Sequence, residues 1–136
     1  MTDAYCSYEI SKLLQKKGFD EPTLTFYIPF EDGEVKFNIG SNEIHYNTLN
    51  KYPWIIAAPT HQMACAWLRE EKNIIIVIEP HAYDYSNKKT SSYVFAIWEG
   101  DNYIETYSNS KLRGISYLTY EDAVESAIKY CLENLI

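Results

Sequence analysis

The run IIIVI at residues 74–78 follows directly on the amphipathic segment APTHQMACAWLREEKN at 58–73. No other feature constrains the fold of this chain as much. An unbroken aliphatic run of five is too short to cross a bilayer, and β-branched residues favour extended backbone, so it predicts a strand. Having no polar alternation, it is expected to be buried on both faces and central in its sheet. The preceding segment predicts a helix, with Thr60 as N-cap and Asn73 as C-cap. At about 100° per residue, Met63, Ala64, Trp67 and Leu68 share one stripe, with His61 and Cys65 on its shoulder.

Local signals place the remaining elements around this unit. Ile10, Leu13 and Leu14 predict a helix over residues 7–17, closed by Gly18 in a left-handed C′ position, with Phe19 packing back on the last turn. Residues 23–30 and 34–39 are strand-like and flank Glu31-Asp32-Gly33, a hairpin signal. Pro29 suggests an edge or a bulge. Residues 40–53 are turn-like, with one short strand around 43–46. Residues 81–92 (HAYDYSNKKTSS) are expected to form a polar, mobile loop. A second hairpin pairs 93–98 with 103–107 across Glu99-Gly100-Asp101-Asn102. A final helix starts at Thr119, with Asp122 in a capping-box position. It carries a stripe of Ala123, Val124, Ala127, Ile128, Cys131, Leu132 and Leu135. The expected architecture is α+β: a mainly antiparallel sheet of about five strands with two or three helices on one face, in a single domain over residues 1–136.

Composition narrows the function classes. A net charge of −7, with Lys16-Lys17 and Lys88-Lys89 the only basic pairs, disfavours a nucleic-acid or anionic-membrane surface. The first residues, MTDAYCSYEI, lack the basic and apolar regions of a secretory signal, so a cytoplasmic location is expected. Cys6, Cys65 and Cys131 form no CxxC pair and are read as reduced thiols. Phosphate-loop, nucleophile-elbow and HExxH motifs are absent, and no cofactor or metal site is expected.

Two weak chemical couples remain. His61 and Cys65 stand at helical i, i+4 spacing, but a zinc site uses three or four ligands, and Cys65 lies past the first turn, where a helix terminus would activate a thiol. His81 and Asp84 form a possible acid–base couple, for which a solvated loop is the simpler reading. Thirteen tyrosines are the outstanding compositional surplus. Tyr83, Tyr85, Tyr93, Tyr103 and Tyr107 are the candidate binding residues, since a tyrosine joins apolar area to a polar tip.

Three segments, ISKLLQKKGFDEPT, APTHQMACAWLREEKNIIIVI and YEDAVESAIKYCLENLI, covering roughly half the chain, resemble small proteins of phages, prophages and mobile elements of gut Bacteroidales. The resemblance implies a bacterial or phage origin and an intracellular or virion-associated setting; it implies no activity, cofactor or catalytic residue. The leading expectation is a protein-binding accessory module, with a protein partner or a second copy in a homodimer as its target. A small enzyme using one of the two couples is the alternative. A single-strand nucleic-acid binder with a tyrosine-lined sheet face is the third reading, opposed by the net charge.

Overall fold

The computed structural model describes residues 4–48, 52–105 and 115–136. The architecture is α+β, with three α-helices and two three-stranded antiparallel sheets among the described residues. The strands number six in two sheets, where about five in one sheet were expected. The chain divides into two compact units, Met1–Ala64 and Cys65–Ile136, and the division falls within the second helix.

In the first unit, α1 (Tyr8–Lys16) is capped by Ser7, whose hydroxyl accepts from the Ile10 N–H. Gly18 sits at φ 98°, and the Phe19 N–H reaches back to the Leu14 carbonyl at 2.9 Å, burying the Phe19 ring. This is the expected left-handed helix stop. Strands β1 (Thr23–Pro29) and β2 (Val35–Ile44) form the first hairpin. The Asp32 carboxylate accepts from the Glu34 N–H, and Gly33 takes the positive φ. The sheet order is β2-β1-β3, with β3 (Ile56–Ala57) pairing only Phe26 and Tyr27. Pro29 therefore lies past the reach of β3, at a position where its missing N–H costs nothing.

The turn expected from residue 40 onward begins later. β2 runs on through Gly40 to Ile44, and a register shift opposite Thr23 and Thr25 absorbs the irregularity. A 3-10 turn, Tyr46–Thr48, then brings the buried Tyr46 ring to 4.6 Å from that of Phe26. Gly40 makes room for it, since a Cβ there would stand 2.7 Å from the Tyr46 hydroxyl. Asn47 ties the loop down twice: its amide donates to the Phe19 carbonyl at 2.8 Å and its oxygen accepts from the Ala57 N–H at 2.9 Å.

The second helix, α2 (His61–Lys72), starts at Thr60, whose hydroxyl accepts from the Met63 N–H. It ends at Asn73 in the left-handed conformation, φ 57°, whose carbonyl accepts from the Gly100 N–H.

In the second unit, β4 (Ile74–Asp84), β5 (Lys89–Glu99) and β6 (Asn102–Glu105) lie in the order β4-β5-β6, and α3 (Tyr120–Asn134) packs on β4 and β5. Thr119 caps α3 through the Asp122 N–H, and the expected stripe from Ala123 to Leu132 is buried. The aliphatic run 74–78 is not the central strand but an edge strand. Phe95 meets Tyr130 of α3 and pairs with Ile78, so Ile74, Ile76 and Ile78 share the helix-covered face. Ile75 and Val77 turn the other way and stay 38% and 37% exposed. The strand buried on both faces is β5, where Val94, Phe95, Ala96 and Ile97 are all buried.

The polar loop expected over residues 81–92 is likewise replaced by paired strand. β4 continues to Asp84 opposite Lys89, leaving a turn of four residues, and bulges take up the irregularity after Pro80. An edge strand tolerates a proline with its N–H position unpaired, which is why Pro80 does not end the hairpin.

Candidate functional site

The two couples drawn from sequence spacing have different surroundings. His61 belongs to the first unit and is nearly buried. An antiparallel bridge between Tyr5 and Thr60, closed by Cys6 N–H to the Pro59 carbonyl and His61 N–H to the Ala4 carbonyl (both 2.9 Å), lays the N-terminal segment along the start of α2. The Cys6 sulfur and a His61 ring nitrogen thereby come within 4.8 Å. Sequence spacing gave no hint of this contact, because it depends on a bridge between distant segments. The Cys6 thiol is sealed from solvent and turned toward the Thr60 carbonyl at 3.9 Å, so it is not an accessible nucleophile.

Cys65 belongs to the second unit. Burial pushes its thiol up to about 11, against a smaller opposing pull from the Arg69 guanidinium. Burial, and then the neighbouring Cys65, push Cys131 up to about 12. Both remain protonated thiols at neutral pH, the wrong state for nucleophilic attack.

Asp84 serves the hairpin turn. One carboxylate oxygen accepts from the Ser86 and Asn87 N–H groups at 2.9 and 3.3 Å, and the other from the Asn87 amide at 2.8 Å. These bonds, the Asn87 side chain foremost, hold its pKa below the ordinary carboxylate value. The anion is thereby committed to shaping the turn and is a poor acceptor for a shuttled proton. His81 lies on the exposed part of β4.

The candidate binding tyrosines fall into separate pairs. Tyr83 and Tyr85 meet edge to face at the tip of the β4–β5 hairpin, 4.8 Å between centroids. Tyr103 lies at the other end of the sheet against Trp98, 3.6 Å between centroids. Tyr107 lies outside the described residues. Tyr93 stands in the middle and meets Tyr120, which sequence reasoning missed, at 5.8 Å and 86°. A reciprocal pair of 2.8 Å hydrogen bonds between the backbones of Tyr93 and Tyr117 fixes the approach to α3 alongside β5. Tyr120 is the first residue of α3, ahead of the stripe that begins at Ala123, and is 51% exposed.

Tyr93 and Tyr120 frame an open cavity of about 420 Å³ between the start of β5 and the start of α3. Lys89 and Thr90 stand on the β5 side, and Leu118 and Glu121 on the α3 side. Its volume falls within the range of small-ligand and peptide side-chain pockets. A second hollow, of about 560 Å³, lies at the β1–β2 turn of the first unit, lined by Ile28, Pro29, Phe30, Trp54 and the carboxylates of Glu31 and Asp32. That lining has rings and acids but no hydroxyl or cationic side chain. The Tyr93–Tyr120 notch combines rings, hydroxyls and charges of both signs, the mixture that fixes a ligand's orientation as well as its burial.

No helix among the described residues is long and apolar enough to cross a membrane. Comparison with protein-family models, curated proteins and solved structures finds no match.

Proposed function

We propose that this chain is a protein-binding module, acting as an accessory protein in the phage or mobile-element setting that its sequence resemblance suggests, and that the Tyr93–Tyr120 notch is its binding site. The observation that carries this reading is the pair of perpendicular tyrosine rings held half-open at a cavity with polar walls. Tyrosine is a recurrent anchor at protein interfaces because it loses little conformational freedom on burial and keeps a hydroxyl for hydrogen bonding. Leu118, 81% exposed beside them, adds apolar area that a partner would cover. The thiol and carboxylate couples give a catalytic reading little support, since the Cys65 thiol stays protonated at neutral pH and the Asp84 carboxylate is committed to a turn.

Panning a displayed random-peptide library against the folded chain tests the reading. Peptides retained by the wild type are expected to be lost on Tyr120→Ala. Retention of the same peptides by that variant, or no enrichment at all, would remove the notch as the binding site.

A further inference from the structure

Resting on the reading of the notch as a binding site, we infer that its occupant is an extended, proline-rich peptide segment with a basic flank. The walls argue for this class by elimination and by fit. The start of α3 is no anion site: Thr119 already takes the Asp122 N–H, and Glu121 and Asp122 place two carboxylates in the first turn, offsetting the positive end of the helix. A flat base would stack best on a single open ring face, whereas rings crossing at 86° make a corner. A puckered pyrrolidine ring fills such a corner, contacting one ring by its face and the other by its edge.

A polyproline II segment suits the polar walls as well. It makes no internal hydrogen bonds and presents its carbonyls outward, where Thr90 and the tyrosine hydroxyls can donate to them. Its stiffness also lowers the ordering cost of binding to a shallow surface. Charge sets the flank. The chain carries −7 overall, and Glu121 stands on the α3 side, so an Arg or Lys beside the proline run is drawn there. Lys89 on the β5 side repels a basic residue at the other end, which gives the peptide a direction.

Fluorescence anisotropy on the full chain is the test, with three labelled probes: nonaproline, nonaproline carrying two arginines at one end, and a Gly-Ser peptide carrying the same two arginines. The expected result is saturable micromolar binding of the arginine-bearing proline peptide, weaker binding of nonaproline, and none of the Gly-Ser peptide. Tyr120→Ala is expected to weaken the proline peptides about tenfold or more. Glu121→Lys is expected to weaken only the arginine-bearing one. Equal binding of the Gly-Ser peptide would reduce the effect to charge and overturn the inference, as would displacement of the proline probe by maltohexaose. No saturation by either proline peptide up to about 1 mM would also overturn it. If library panning still selects peptides that Tyr120→Ala loses, and they lack proline, the binding site stands and only the ligand class falls.

Discussion

Tyr46 in the first unit and Tyr120 in the second are the same side chain in opposite circumstances. Tyr46 is 7% exposed, tilted against the Phe26 ring, with its hydroxyl over the one residue in β2 that has no side chain to obstruct it. Tyr27, on the other side of β1, donates its hydroxyl to the Cys6 carbonyl at 2.6 Å. These rings hold a small sheet to its flanking segments. Tyr120 is half-exposed at the mouth of a cavity, and Tyr85 at the hairpin tip is 84% exposed. In the second unit Phe95, Ile97 and the stripe on α3 are buried, Tyr117 and Tyr130 lie half-buried against Phe95, and Tyr83, Tyr85, Tyr103 and Tyr120 are left exposed. A tyrosine surplus is therefore two populations, and only the fold separates them.

Truncating each population should break this comparison if it is wrong. Tyr46→Ala removes a buried ring and is expected to lower unfolding free energy by about 3 kcal/mol, read by chemical denaturation. Tyr120→Ala and Tyr85→Ala should each stay within about 0.5 kcal/mol of wild type. Similar losses at Tyr46 and Tyr120 would mean that both rings are structural.

Gly40→Ala sharpens the same point from the partner side. Its methyl would meet the Tyr46 hydroxyl at 2.7 Å and the Leu24 carbonyl at 3.3 Å. A loss of about 1–2 kcal/mol is expected, and it should shrink in a Tyr46→Phe background. An unchanged loss in that background would place the strain in the backbone rather than under the ring.

The thiols of the second unit, Cys65 half-buried and Cys131 buried, set a smaller effect, seen only in alkali. Their folded-state values, about 11 for Cys65 and about 12 for Cys131, lie above the ordinary thiol value of 9.0. Their contribution to stability is therefore whole below about pH 9 and is lost as the pH rises through 11 and 12. At pH 8 a thiol reagent should modify Cys65 in the folded chain about a hundredfold more slowly than in the denatured chain. Fast labelling of the native protein at Cys65 would reopen the nucleophile reading.

How much of this was legible beforehand follows from how local each cause is. Ser7, Thr60 and Thr119 cap helices through bonds spanning three residues, and Gly18, Gly33 and Asn73 take positive φ where the chain must turn. Such signals are complete within a short window, so the sequence showed all of them but the Ser7 cap, where it indicated only the helix. The exchange of roles between β4 and β5 was not visible. IIIVI is the more aliphatic run, but which strand gains two neighbours depends on β6 and on where α3 lands. The extension of the hairpin past Pro80 depended in turn on β4 being an edge. The notch was half legible: Tyr93 is among the candidate binding residues, while Tyr120, ahead of the stripe that begins at Ala123, carries no signal that sets it apart from the other tyrosines. Their meeting rests on the backbone bridge between Tyr93 and Tyr117, a long-range pairing that no spacing rule encodes.

The separation of a packing tyrosine from a binding one is tested most directly on a single variant. A peptide selected on the wild-type chain is titrated against Tyr120→Ala, and the thermal midpoint of each protein is recorded in the same buffer. The account predicts an affinity at least about tenfold weaker with a midpoint within about 2 °C of wild type. Unchanged affinity, or a loss of binding that comes only with a collapsed midpoint, would contradict it.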